Sequence, residues 1–367
     1  MTLSARLSRY QLPLGGSVRT ARAAWHERAG LILTLEDGQG GVGQGEAAPL
    51  PGYSDESLQQ AEQRLSQLEL GWLGAVLSRA VNEPQSLGPE LARAAWADAS
   101  SAQFALETAA FAWLAQRRRE PLHALLRRAF PESTFAPASL RLAALLDSDD
   151  PLASADRAVL GGFTTLKLKV GLEGGERAEL AVLRELGVRF ERHVAIRLDA
   201  NGAWSSTVAR ARLEAFADLG VEFIEEPTAA TEAALVAPAV PVALDESLRR
   251  APLPSKKELS ERGVTALVLK PTVLGGIAKT LVWASSARRV ACAAVVSHCF
   301  EGPIGYAALC ELALALGSNS VAHGLGPHVG LDAWSARPAA SLGQARLTAH
   351  ATPGLGLGPE PIEPVAP

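Results

Sequence analysis

Hydrophobic and polar positions follow two different rhythms along the chain. Near the N-terminus, residues 3–12 and 31–38 read as strands, and the second run, LILTLEDG, ends at the turn-forming pair Asp37-Gly38. From Ser54 the spacing becomes helical. Ser54-Asp55-Glu56-Ser57 offers an N-cap, and apolar residues recur at helical intervals to about residue 80 and again over 101–117. Between strand and helix, GGVGQGEAAPLPGYS at 40–54 is rich in Gly and Pro, which predicts a mobile surface loop. Residues 1–136 are therefore expected to form an α+β unit.

After Pro137 short apolar runs alternate with amphipathic stretches. Strands are predicted in SLRLAALL (139–146), TTLKLKV (164–170), VAIRLDA (194–200), VEFIEEP (221–227), VALDE (242–246), TALVLKP (265–271), AAVVSHC (293–299) and SVAHGL (320–325). Segments such as 173–186 and 205–219 have helical patterning. Eight βα repeats predict an α/β fold, a (β/α)8-type barrel over 137–339, although a doubly wound open sheet shares the alternation. Residues 340–367, rich in Gly and Pro, are expected to run back as a tail along the first unit.

Composition narrows the class. With 48% hydrophobic and 20% charged residues in 367, the chain has the make-up of a globular enzyme able to bury a large core without disulfides. Its net charge is -4 and it has no long basic run, which argues against nucleic acid or an anionic membrane as partner. Cys292, Cys299 and Cys310 are odd in number and contain no Cys-x-x-Cys pair. That suggests reduced thiols, and with no signal-peptide layout or membrane-length apolar run the expectation is a cytoplasmic protein. The sequence sets no oligomeric state.

The charges fall at strand ends. Lys167 and Lys169 lie in TTLKLKV, Asp199 ends the third strand, Glu225 and Glu226 the fourth, Asp245 and Glu246 the fifth, and Lys270 the sixth. Apolar strand interiors do not carry unpaired ions, because desolvating them is too costly. Steps of 30, 26, 20 and 25 residues connect Lys169, Asp199, Glu225, Asp245 and Lys270. Each step suits one βα unit, so the groups should form a ring at the C-terminal rim, where barrels carry active sites. Three carboxylates from adjacent strands, Asp199, Glu225 and Asp245, make a hard oxygen site suited to Mg2+ or Mn2+ rather than zinc.

Of the 35 basic residues only six are lysine: Lys167, Lys169, Lys256, Lys257, Lys270 and Lys279. Lysine can be tuned to a neutral base and arginine cannot. Lys167 shares a strand face with Lys169, and its charge together with a metal's would push Lys169 toward the neutral form. Lys270 precedes Pro271 and has no lysine two residues away, so it is expected to act chiefly as a cation.

KLK at 167–169, LDAN at 198–201, EEP at 225–227, DES at 245–247 and KP at 270–271, in this order and spacing, resemble the muconate lactonising subgroup of the enolase superfamily. The resemblance implies a barrel with an α+β cap whose mobile loop closes over a small anionic carboxylate substrate. Carried over position by position, it implies that Asp199, Glu225 and Asp245 bind Mg2+, with Mn2+ a possible substitute. Lys169 would be the base, with Lys270 facing it. Lys167, Asn201 and Glu246 would support them, and Tyr53, Ser297 and Glu301 would line the substrate.

GEAAPLPGYSDE, LKPTVLGG, SHCFEGPIG and HGLG at 323–326 are most similar to the o-succinylbenzoate synthases. That implies a dehydration in menaquinone biosynthesis. The Asp-x-Asp element usual in dipeptide epimerases near the eighth strand is missing from VAHGLGPHVGLD, and SHCFEG departs from the synthases' serine-rich SSSxES. His298, Cys299, His323 and His328 fit no standard zinc spacing. His323 and His328 are expected in loops near the barrel mouth.

Overall fold

The N-terminal alternation becomes a three-stranded antiparallel sheet of β1 (Ser4–Arg19), β2 (Ala24–Glu36) and β3 (Val42–Ala47). The computed structural model describes residues 2–19, 24–129, 137–172, 174–191, 193–249, 254–317, 321–340, 345–358 and 360–363. β3 takes residues 42–47 out of the loop expected over 40–54, and residues 43–50 are buried, while 51–54 form a turn that carries Tyr53. Its glycines serve close packing: a Cβ on Gly43 would lie 2.1 Å from the Ala109 carbonyl, and one on Gly45 would lie 1.8 Å from that of Ala105. Only glycine lets the helix backbone approach a strand this closely.

That helix is α4, one of five in the cap: α1 (Leu58–Ser66), α2 (Leu70–Ala80), α3 (Leu87–Arg93), α4 (Ser100–Arg117) and α5 (Leu122–Ala129). Ser57 is the N-cap of α1 and forms a reciprocal capping box with Gln60. α4 is buried from Ser101 to Ala115, since it has the sheet on one side and the barrel on the other.

The second unit runs β4 (Ser139–Arg141), β5 (Ala144–Leu145), α6 (Pro151–Leu160), β6 (Thr165–Lys169), α7 (Glu176–Phe190), β7 (Ala195–Asp199), α8 (Ser206–Phe216) and β8 (Val221–Glu225). It continues β9 (Val242–Leu244), α9 (Lys256–Glu261), β10 (Val264–Leu269), α10 (Pro271–Leu274), α11 (Ile277–Arg289), β11 (Ala293–Val296), α12 (Pro303–Leu316) and β12 (Arg346–Thr348). Seven parallel strands follow the order β11-β10-β9-β8-β7-β6-β5. The eighth predicted strand is reduced to a seam: His323 bridges Leu142, and Gly324 bridges Ser297, both in parallel. The curled sheet thereby closes, which favours the barrel over an open sheet.

One expected helix is absent. Residues 229–240, between β8 and β9, are irregular. Pro238 and Pro241 and the left-handed Ala237 (φ 46°) break any helical run there. The tail pairs β12 antiparallel with β4 before returning to the cap, where the Ile362 N–H donates to Gln44 Oε1 (2.7 Å) and Arg6 meets Glu363 (2.6 Å). Among the described residues, no helix is long and apolar enough to cross a membrane.

Two buried carboxylates fasten the cap to the barrel. Glu46 on β3 accepts from the N–H groups of Gly302 (2.6 Å) and Gly305 (2.8 Å) at the start of α12, and from the Tyr10 hydroxyl. Glu107 on α4 accepts from Ala278 N–H (2.8 Å) at the start of α11. The N–H groups at these helix starts offset part of the cost of burying each carboxyl, although burial still raises both above the usual carboxylate range.

Candidate active site

Register brings the charged strand ends to one level. Lys169 of β6 is paired with Asp199 of β7, and Asp199 with Glu225 of β8. Asp245 follows β9 and Lys270 follows β10, at the same rim. All three carboxylates are buried.

The lysines bridge them. Lys167 Nζ lies 2.9 Å from Asp199 Oδ2 and 2.5 Å from Glu225 Oε2. Lys270 Nζ lies 2.5 Å from Asp245 Oδ2 and 2.8 Å from the Tyr53 hydroxyl, which itself donates to Asp245 Oδ1 (3.1 Å). Burial alone would lower the pKa of Lys167, but Asp199 and Glu225 outweigh it and hold it above the usual lysine range. Lys270 is likewise raised, since Asp245 overrides its burial. Lys169 behaves oppositely. Burial, helped by the positive charge of Lys167 and Lys270, lowers it from 10.5 to about 8 although Asp199 opposes the shift. The ring thus holds two firm cations and one lysine that gives up its proton more readily than an ordinary lysine.

The three carboxylates have the donor chemistry of a Mg2+ site, anionic oxygens from adjacent strands. Lys167 lies on Asp199 and Glu225, and Lys270 on Asp245, so the lysines balance part of the carboxylates' mutual repulsion. Burial raises Glu225, with Asp199 and Asp245 reinforcing the shift against Lys167. A cation would relieve the same repulsion.

Around this ring the supporting positions are specific. Asn201, at φ 46°, donates its N–H to Asp199 Oδ1 (3.0 Å) and its side chain to Glu246 Oε1 (3.3 Å). Burial, then Asp245, raises Glu246 to about 8. Glu226 points away from the site and accepts from Asp245 N–H (2.7 Å) and the Ser247 hydroxyl, which fixes the turn carrying Asp245. Ser297 stitches the barrel seam by donating to the Gly324 carbonyl (3.3 Å). Glu301 is a correction to the substrate-lining expectation. It is 1% exposed, and its two oxygens are taken by Thr272 Oγ1 (2.5 Å) and Cys299 N–H (2.7 Å), so it shapes the turn after β11. His323 is also no loop residue, for it is fully buried in the seam and accepts from Val296 N–H (3.1 Å). His298 and His328 stack with ring centroids 4.1 Å apart.

Sequence reasoning missed Arg28 and Glu46. Arg28 donates to the carbonyls of Phe300 (3.0 Å), Pro49 (2.9 Å) and Ala48 (2.5 Å), and so ties the SHCFEG turn to the loop that carries Tyr53. For Glu46 the available signal was a charged residue inside the otherwise buried strand β3. A cleft of about 1280 Å3, lined by Tyr10, Trp25, Pro51 and Asp55 among others, lies in the cap. Its lining includes none of the ring lysines or their carboxylate partners, so size does not make it the reactive centre.

Known proteins match this arrangement. Residues 151–362 fit the family described as "Enolase C-terminal domain-like", and residues 2–95 fit "MenC, N-terminal domain". An o-succinylbenzoate synthase of Aliivibrio fischeri (strain ATCC 700601 / ES114) is 28% identical over 320 residues, covering 84% of this chain and 86% of that protein. "Protein PHYLLO, chloroplastic" of Arabidopsis thaliana is 29% identical over 81% of this chain but only 19% of its own length. Among solved structures, a muconate lactonizing enzyme from Pseudomonas fluorescens complexed with muconolactone superposes with a TM-score of 0.79 at 21% identity, covering 97% of this chain and 95% of that one. A dipeptide epimerase from Methylococcus capsulatus, complexed with Mg and the dipeptide L-Arg-D-Lys, gives 0.76 at 24% identity over 97% and 99%. The chain therefore belongs to the enolase superfamily through its enolase C-terminal domain-like region, and it is similar to the o-succinylbenzoate synthases.

Proposed function

We propose that this enzyme is an o-succinylbenzoate synthase that dehydrates 2-succinyl-6-hydroxy-2,4-cyclohexadiene-1-carboxylate. The observation that carries the reading is the combination of a MenC-type N-terminal domain over residues 2–95 with a rim that gathers Lys169, Asp199, Glu225, Asp245 and Lys270. A dehydration in which proton and hydroxyl leave from one face needs a single base. Racemisation needs a competent base on each face. Relatives named o-succinylbenzoate synthase, at 27–29% identity over most of the chain, support the same choice.

The chemistry follows from the ring. The proton alpha to a carboxylate is weakly acidic, because its removal piles a second negative charge onto the group. Mg2+ held by Asp199, Glu225 and Asp245 supplies electrostatic stabilisation of that charge when bound. Lys169, as the neutral amine, takes the proton and returns it to the departing hydroxyl as general acid. Lys270 and the Tyr53 hydroxyl, 2.8 Å apart, present positive charge and a hydrogen bond on the opposite side. Arg28 and Glu46 hold the cap loop and the turn after β11 in position over the site.

The second reading is an N-succinylamino acid racemase or dipeptide epimerase, favoured by the placement of a lysine on each side of the ring. The test is a paired assay in Mg2+ with the cyclohexadiene carboxylate and with N-succinylamino acids. Dehydration with the higher kcat/KM supports the synthase. Turnover of the succinylamino acids alone replaces it with the racemase.

A further inference from the structure

A second cluster of metal-ligating side chains lies away from the barrel mouth. His123 on α5, Glu311 on α12 and His350 in the tail place their ligand atoms within 4.8 Å of one another, the one such group of His, Cys, Asp and Glu among the described residues. His123 Nδ1 lies 2.9 Å from Glu311 Oε2, and His350 Nε2 lies 2.7 Å from Glu311 Oε1. The two rings meet edge to face at 5.5 Å.

Glu311 also accepts from the backbone N–H of His123 (2.7 Å) at the start of α5. Every residue of α12 is buried, and Glu311 is its one charged member. Among the described residues its ion-pair partners are the two histidines, with no lysine or arginine within 4.0 Å. This carboxylate, 1% exposed, is met by two imidazoles, with Arg127 on α5 also attracted to its charge. The surroundings accept the imidazole of His350 closely: a Cβ on Gly356, which sits at φ 69°, would lie 2.6 Å from His350 Cε1. The His350 side chain is 10% exposed, which gives a solvent path to the cluster.

We infer that His123, Glu311 and His350 bind a divalent transition-metal ion of the zinc class, through His123 Nδ1, His350 Nε2 and one Glu311 oxygen. Two imidazoles and a carboxylate suit Zn2+, with a fourth position left for water. Ligand atoms around such an ion stand roughly 3.3 Å apart at metal–ligand distances of about 2.0–2.1 Å. The two Glu311 contacts must therefore open by about half an ångström, while the two imidazole nitrogens, separated by up to 4.8 Å, close toward that spacing. His350 lies in an irregular stretch just after β12, where such a shift breaks no helix or strand pairing. The ion would join one helix of the cap, one of the barrel and the tail, three segments with no two ligands adjacent in sequence. It is separate from the Mg2+ set, whose ligands are all carboxylates, and it does not depend on which reaction the barrel catalyses.

The test uses the full chain in excess Mg2+, which occupies the oxygen site, titrated with Co2+ as a spectroscopic stand-in for Zn2+. One tight equivalent is expected, with the strong visible absorption of a four-coordinate nitrogen–oxygen site. His350→Ala should weaken it at least tenfold, and Glu311→Gln should do the same, while Asp199→Asn leaves it intact. Zn2+ should raise the Tm of the parent protein and leave His350→Ala unmoved. Absence of a tight equivalent in the parent, or its survival in His350→Ala, overturns the site and leaves a hydrogen-bonded clamp. His350 is in the tail, outside the helical core, so its variant keeps the test valid if Glu311→Gln fails to fold.

Discussion

The cap–barrel seam and the barrel mouth both bury carboxylates, but they neutralise them differently. At the seam, Glu46 and Glu107 meet backbone N–H groups at helix starts, which are fixed dipoles that cannot be exchanged. At the mouth, Asp199, Glu225 and Asp245 meet lysine side chains, which are mobile charges that another cation can displace. The first arrangement holds two domains in register. The second is where the proposed reaction puts metal binding and proton transfer. What distinguishes a structural buried acid from a reactive one is therefore whether its partner can leave.

The largest expected effect comes from taking away one exchangeable partner of the mouth. Asp199→Ala, or exhaustive chelation, should lower kcat by roughly 10³-fold or more, since electrostatic stabilisation of this kind is usually the dominant contribution. Full activity after chelation would break the comparison at its centre. Next in size is the pH response. Only neutral Lys169 accepts a proton; its pKa is already lowered to about 8 without a metal, and a bound cation lowers it further, so kcat/KM should fall about tenfold per pH unit on the acid side of a break at or below that value. A break in kcat/KM well above about pH 8 would contradict the assignment.

The seam predicts a stability effect instead of a rate effect. Burial raises Glu107 from 4.5 to about 7, against its hydrogen bonds from Gln103 and Ala278. The fold prefers the neutral acid, so the unfolded state ionises first. Stability is full below about pH 4.5 and declines as pH rises toward 7, by at most about 3 kcal/mol. Glu107→Gln should flatten that decline in denaturant titrations at pH 5 and 7; an unchanged slope would mean Glu107 is ionised throughout. The smallest effect is at Tyr53, whose ring lies under Lys270 Nζ at 4.7 Å. Tyr53→Ala should raise KM several-fold with a modest change in kcat, and a kcat loss at unchanged KM would move Tyr53 into the chemistry.

The mouth was legible in the sequence because an ion at the end of an apolar strand is costly unless an opposite charge or a ligand meets it there. Lys167, Lys169, Asp199, Glu225, Asp245 and Lys270 follow that rule, and one rim gathers them. The seam was much less so. Gly43 and Gly45 look like loop residues until α4 is seen against them. Glu301 looks like a site residue until Thr272 and Cys299 take its oxygens. His123, Glu311 and His350 are separated by 188 and 39 positions, so no local pattern joins them. Sequence spacing reveals groups that neighbouring strands bring together; it is blind to those joined across domains.

The central claim is that Lys169 alone transfers the proton and Lys270 serves as a cation. It is tested most directly by kcat for dehydration, and for any racemisation of N-succinylamino acids, in Lys169→Ala, Lys270→Ala and Lys270→Arg. Lys169→Ala should lose dehydration by at least roughly 10²–10⁴-fold, the contribution of a general base. Lys270→Arg, which keeps the charge, should retain more dehydration than Lys270→Ala and lose all racemisation. Dehydration surviving in Lys169→Ala while Lys270→Ala is inactive would place the base on the other side of the barrel.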